Sequence, residues 1–190
     1  MSKSLDFQIS IYPAPVLRKP AQAMETFDSD LKETVSAMFV RMRESTGVGL
    51  AAPQVGLNQR ILVLNHTGEE GDDLALVNPK ILKLSGPRTE YEEGCLSFPG
   101  IYGQVTRPDR VKISAQTVDG ESFEAQYEGF QGRVIQHEMD HLEGVLLIDR
   151  ISPADKLRNK LAFEDLVLDY KEDLAKAAKE AAKAEAAANK

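Results

Sequence analysis

Two of the chain's three histidines, His137 and His141, lie four residues apart in the stretch QHEMDHLEGVLL, with Glu138 directly after the first. On a helix that spacing puts both rings on one face, where they can share a metal ion. Glu138 then stands to the side, within reach of a water it could deprotonate. A catalytic metal centre needs three protein ligands and one open position, so a third ligand must come from elsewhere. Leu147 occupies the place of a third histidine in the extended version of this pattern, which excludes an all-histidine site. Glu164, in LAFEDLVLDY, could serve from a later helix, or be an ordinary polar residue on an amphipathic one. Cys95 is the single cysteine and lies in YEEGCLSFPG. A lone cysteine often behaves as a small buried hydrophobe, but Gly94, Ser97 and Pro99 beside it suggest an exposed turn. Its thiolate would complete a Cys-His-His set suited to zinc or ferrous iron. His66, following RILVLN and preceding Thr67-Gly68, reads as an exposed loop histidine.

A second chemical stretch is GVGLAAPQVG, from Gly47 to Gly56. It satisfies the G-x-G-x-x-A form of a dinucleotide loop, yet that loop must follow a strand and open a helix. Here the preceding segment has helical periodicity, and Pro53 and Gly56 oppose a helix beyond. The remaining reading is a backbone surface that another chain can approach closely, with the Gln54 amide as donor or acceptor at its end.

Elements must hold these groups in place. IYPAPVLRKPA is expected to form an extended or turning arm. A helix is expected from Asp28 or Ser29, with Leu31, Val35, Met38, Phe39 and Met42 on its core face. RILVLN and LALVNPKILKL read as short strands, and RVKISAQTVDGESFEAQYEG as a hairpin turning at Asp119-Gly120. The metal-binding stretch suits a helix from about Phe130 to Glu143 that stops at Gly144, and another helical segment begins near Ser152-Pro153. From Tyr170 onward the composition shifts to Ala, Lys and Glu, helix-prone but nearly without large apolar residues.

The 190 residues suit one globular domain with a sizeable core, and 42% hydrophobic and 28% charged residues are ordinary for a soluble chain. No apolar run approaches the ~20 residues of a membrane span, and MSKSLDFQIS lacks the core of a secretory signal, so a cytoplasmic location is expected. One cysteine permits no intrachain disulfide and fits a reducing compartment. A net charge of -7 disfavours a generic coat of DNA or anionic membrane.

Three segments in order, GVGLAAPQ (Gly47 to Gln54), EGCLS (Glu93 to Ser97) and QHEMDHLEG (Gln136 to Gly144), resemble the three motifs of the peptide deformylase family. PAPVLRKPA resembles its N-terminal segment. The resemblance implies an α+β fold of short, mixed but mainly antiparallel sheets around a central metal-binding helix, with a C-terminal helix. Residues 1–165 would form the catalytic domain and 166–190 a helical tail. It implies a metallohydrolase that removes the N-formyl group from the initiator methionine of new polypeptides and releases formate. Cys95, His137 and His141 would hold one Fe2+, with Zn2+, Ni2+ or Co2+ able to substitute. Glu138 would move the proton, and the Gln54 amide and Leu96 backbone N–H would stabilise the oxyanion. Gly47, Val48 and Gly49 would pair with the substrate backbone, while Val48, Tyr91, Phe130 and Val134 would form the methionine pocket. Glu93 and Arg107 would pair behind the metal turn. Many members carry an arginine within three residues after CLSFP, whereas Gly100-Ile101-Tyr102 stands here, which leaves preference beyond methionine open. In the tail, Lys176, Lys179, Lys183 and Lys190 would share one helical face and could touch ribosomal RNA phosphates. Glu172, Asp173, Glu180 and Glu185 among them fit a simply solvated helix.

Overall fold

Asp28 starts the first helix by accepting hydrogen bonds from the backbone N–H groups of Asp30 and Leu31, both at 3.1 Å. This helix, α1 (Ser29–Glu44), buries Leu31, Val35, Met38 and Met42, with Phe39 partly buried at the margin. The computed structural model describes residues 5–69 and 71–188, with side chains described as far as residue 184. Five strands follow α1: β1 (Gly49–Ala51), β2 (Ile61–Leu64), β3 (Leu74–Cys95), β4 (Phe98–Gln116) and β5 (Ser122–Glu128). They form one antiparallel sheet in chain order, each strand beside its sequence neighbour.

The strand expected at RILVLN is β2, and its unbroken apolar run has a structural cause. Leu62 and Leu64 pack on one face of the sheet, Ile61 and Val63 on the other, and both faces are covered. α1 packs on the Ile61–Val63 face. On the opposite face lies α2 (Gly129–Leu142), through Val134, Ile135, Met139 and Leu142. A third cluster gathers Phe98, Ile101 and Val105 of β4 with Leu17 of the N-terminal arm, Leu147, Ile151 and Phe163. The arm itself forms a short 3-10 turn at Pro15–Arg18 that buries Leu17 completely.

The short strand expected at LALVNPKILKL proves to be the first half of a long one, since β3 spans 22 residues, and its partner β4 spans 19. A two-residue turn, Leu96-Ser97, joins them, with Cys95 opposite Phe98. The helix over the histidines begins at Gly129 and ends at Leu142, and Gly144 just beyond takes a left-handed φ of +71°. There follow α3 (Leu147–Arg150), α4 (Pro153–Arg158) and α5 (Lys160–Ala188). Phe163 is buried and Ala162, Leu166 and Tyr170 are partly so, whereas every described side chain from Lys171 to Ala184 is exposed. The expected boundary between residues 165 and 166 thus falls within one continuous helix.

Candidate active site

α2 carries His137 and His141 one turn apart with ring centroids separated by 5.2 Å. The third group arrives on β3, whose last residue is Cys95. It is half-buried at the tip of the long hairpin, not in the exposed turn its neighbours suggested. Its Sγ lies 3.2 Å from His141 Nε2, and one ligand atom from each of the three residues falls within 4.8 Å of the others. One thiolate and two imidazoles at that separation fit a single transition-metal ion. Burial acts to lower the pKa of both histidines. In His137 the hydrogen bonds to Cys95 and Glu93 override it and push the pKa up, while in His141 burial and the nearby charges of His137 and Arg107 hold it down.

Behind the ligands, Glu93 is the hub of a buried network. Arg107 donates to both its oxygens, Nε to Oε1 at 2.8 Å and Nη2 to Oε2 at 2.9 Å. His137 Nδ1 meets Oε2 at 3.0 Å, which leaves Nε2 for a metal. Burial pushes the Glu93 carboxyl up, but its hydrogen bonds with His137 and Arg107 outweigh this and hold it well below the carboxylate range. Arg107 also donates to Asp140 at 2.8 Å, and Asp140 in turn receives Arg150 at 3.0 and 2.5 Å. The expected Glu93–Arg107 pair is therefore present and only 6–7% exposed, far from a loose surface contact. Arg133, Asp140 and Arg150 were missed. Arg133 precedes His137 by one turn and Asp140 follows it by three residues, so polar residues in phase with a ligand on an apolar helix were the available signal.

Glu138 is buried, and its Oε2 makes no hydrogen bond among the described residues. Burial pushes its carboxyl up to about 7, against the opposing pull of His137 and Arg107. That value suits a group that takes up and releases a proton near neutrality. The glycine of β1 makes its position possible. A Cβ on Gly49 would stand 2.6 Å from Glu138 Oε1 and 2.8 Å from Val134 Cγ1.

Gln54 lies in a 3-10 turn, Ala52–Val55, directly after β1. Its Oε1 accepts from Ala51 N at 2.8 Å, which turns Nε2 toward Cys95 Sγ at 3.6 Å and Ser97 Oγ at 3.4 Å. Leu96 follows Cys95 in the tight turn. A strand leading into a 3-10 turn, preceded by α1, gives the GVGLAA stretch no dinucleotide architecture.

A cleft of about 500 Å³ opens over these groups. Gly47 and Val48 line it from the loop before β1 and Gly49 from β1 itself, a strand at the sheet's edge. Tyr91, Phe130 and Val134 line it too, and the Tyr91 and Phe130 rings stand 6.3 Å apart. Cys95, Leu96, His137 and Glu138 face the same space, so every expected substrate residue borders the cleft onto which two of the three ligands open, while His141 is buried behind it. Tyr102, in the stretch where an arginine was looked for, adds a ring that is 54% exposed. Two alternatives separate from the site. Glu164 is exposed on α5 and pairs with Lys160 at 3.8 Å. His66 lies outside the ligand group and is half-buried, contrary to the exposed loop position expected for it.

The family model of polypeptide deformylases matches residues 7–157. Peptide deformylase 1B of Arabidopsis thaliana chloroplasts and mitochondria is 48% identical over 154 residues, 79% of this chain. The chain spans only 56% of that relative's own length. The peptide deformylase of Thermotoga maritima is 48% identical over 158 residues, which cover 82% of this chain and 94% of the relative. The crystal structure of a plant peptide deformylase of type 1B superposes with a TM-score of 0.86 at 43% identity, covering 91% of this chain and 95% of that one.

Proposed function

The chain belongs to the peptide deformylase family, and on that premise we propose that it hydrolyses the N-formyl group from the initiator methionine of newly made polypeptides and releases formate. One observation carries the reading most directly: a Cys95-His137-His141 donor set beside a buried Glu138, in a cleft bordered by an edge strand. Cys95, His137 and His141 hold one divalent transition metal, Fe2+, with Zn2+, Ni2+ or Co2+ as possible substitutes. When bound, the ion supplies Lewis acidity and makes water acidic near neutrality, with a pKa of about 7 in favourable zinc sites.

The chain's own residues do the rest. Gly47, Val48 and Gly49 offer backbone groups to an extended substrate, which adds as a strand to the β1 edge. The methionine side chain enters between Val48, Tyr91, Phe130 and Val134. Glu138 accepts a proton from the attacking water and returns it to the amine nitrogen as the carbon–nitrogen bond breaks. Gln54 Nε2 and the Leu96 backbone N–H donate to the oxygen on which charge develops. A single donor of this kind is typically worth ~100–1000-fold in rate. Glu93, gripped by Arg107, fixes the ring of His137.

Two coarser inferences accompany the chemistry. Among the described residues no helix is long and apolar enough to cross a membrane; from the single cysteine, which fits a reducing compartment, we infer a cytoplasmic location. Residues 1–165 form the catalytic unit and 166–190 a tail whose Lys176, Lys179 and Lys183 could meet ribosomal RNA; Lys190 lies outside the described residues. Lys176 stands 3.5 Å from Asp173, which favours a solvated helix. Ribosome co-sedimentation that persists unchanged without the tail would dispose of that contact.

The deciding experiment measures anaerobic formate release from formyl-Met-Ala-Ser by iron-loaded protein and by its Glu138→Gln variant. Release by the parent and near silence from a variant that still holds iron is the expected outcome. A loaded parent that leaves the formyl group in place, or cuts internal peptide bonds instead, overturns the reading.

A further inference from the structure

One guanidinium joins two parts of the site that the proposed chemistry keeps separate. Arg133 of α2 is 7% exposed and reaches across to β3. Its Nη2 donates to the Thr89 carbonyl at 2.7 Å and to the Thr89 hydroxyl at 2.9 Å. Its Nη1 donates to Glu93 Oε1 at 2.8 Å and to the Val105 carbonyl of β4 at 3.0 Å. Between those anchor points its Cζ lies 5.6 Å from the centroid of the Tyr91 ring. Thr89, Tyr91 and Glu93 are alternate strand residues and so share one side of β3. Arg133 engages the whole row.

Glu93 does not need this second arginine for its charge, because Arg107 already pairs with both carboxylate oxygens. Burying another guanidinium costs desolvation that only good geometry returns. The bonds that Arg133 makes beyond Glu93 fix its plane beside Tyr91. That ring needs fixing: Tyr91 is 55% exposed, and its other ring neighbour is Phe130 at 6.3 Å. A side chain so open to solvent retains its rotamer freedom unless a neighbour removes it.

We propose that Arg133 is a specificity-positioning residue: its guanidinium holds the Tyr91 ring as a wall of the pocket for the substrate's first side chain, and thereby sets the preference for a long unbranched side chain such as methionine. The inference rests on the deformylase reading of the cleft. Lysine at this position keeps the charge but cannot fork between Thr89 and Glu93 while lying flat against a ring.

The test compares iron-loaded parent, Arg133→Lys, Tyr91→Leu and the double variant on formyl-Met-Ala-Ser and formyl-Ala-Ala-Ser. Metal content is measured alongside, as is calorimetric binding of unformylated Met-Ala-Ser and Ala-Ala-Ser. In Arg133→Lys the metal stays, and the Met-over-Ala preference in kcat/KM falls about 5- to 10-fold, through KM more than kcat. In the Tyr91→Leu background the same substitution changes the preference no further, because the residue through which it acts is gone. Equal losses on both substrates, additive effects in the double variant, or departure of the metal would each overturn the proposal and leave Arg133 a structural brace. Should the parent release no formate, the deformylase reading falls alone. The Met-Ala-Ser to Ala-Ala-Ser affinity ratio then decides for the wall: a ratio narrowed in Arg133→Lys supports it, and an unchanged ratio refutes it.

Discussion

A single methyl group separates the glycine of β1 from a disabled base. In Gly49→Ala the new carbon would stand 2.6 Å from Glu138 Oε1, and Glu138 is the side chain that can give way. Displacement of a proton-transfer group by about 1 Å costs on the order of 100-fold in rate. The expected outcome is therefore a roughly 100-fold fall in formate release with the fold intact, read from kinetics beside circular dichroism. A variant within twofold of the parent would show that Glu138 tolerates the shift. At this scale the sequence was unusually legible. His137, His141 and Cys95 announced themselves as scarce residue types, Glu138 and Gln54 through the ordered motifs that hold them, and Glu93 stands two residues from the cysteine. Arg133 and Asp140 did not, because their partners Thr89, Glu93 and Arg150 come from other elements and only the folded chain brings them together. Likewise nothing in a lone His66 distinguished a half-buried ring from an exposed one.

Elements were legible where one pattern covered them from end to end. α1 has its Asp28 cap and a stripe of core residues, and α2 ends at a left-handed glycine; both appear close to their expected bounds. The length of the hairpin was obscured beyond Leu84 by the Gly86-Pro87 pair, Pro99 and Pro108, residue types that commonly break strands, although Pro79 lay inside a stretch read as one strand. In the structure several of them fall at irregularities of the β3–β4 ladder, between Val77 and Lys80 and between Ser85 and Arg88, so the strand bends there and continues. Asn78, with φ at +52°, and Gly86, at +81°, supply the left-handed backbone at those points. Another tie between elements makes a pH prediction. Asp155 of α4 accepts from the backbone N–H of Gln104 in β4 at 2.8 Å and from the Ser152 hydroxyl at 2.8 Å, and it pairs with Arg158 at 2.7 Å. Those two hydrogen bonds, aided by Arg158, hold its carboxyl below the ordinary 3.8 despite burial. The folded chain then binds fewer protons here than the unfolded one, so the stabilisation is complete above 3.8 and disappears as pH falls through the lower folded value. Asp155→Asn should lower the melting temperature at pH 7, and the gap to the parent should close in strongly acidic buffer. Parallel melting curves at every pH would show that the carboxylate charge contributes nothing.

For the molecule as a whole, composition located where solvation begins, at Tyr170, but not where the last helix starts. Ala-Lys-Glu repetition marks residues from Tyr170 onward, yet α5 starts at Lys160 and spends its first turns on the third core cluster. Removing residues 172–190 should leave melting temperature and formate release unchanged. Ending the chain at Asn159 takes away Phe163, Leu166 and Tyr170, and loss of a buried aromatic alone typically costs ~3–5 kcal/mol. Thermal melting of the two truncations distinguishes them, and equal melting would mean that α5 is dispensable along its whole length. The hairpin has a further consequence, in time instead of space. Cys95 and His141 lie 46 positions apart, with all of β4 and β5 between them. The three donors are thus together only once β3 has paired with β4 and α2 has docked. A hairpin paired out of register would carry Cys95 away from the two histidines and leave the set of three donors incomplete.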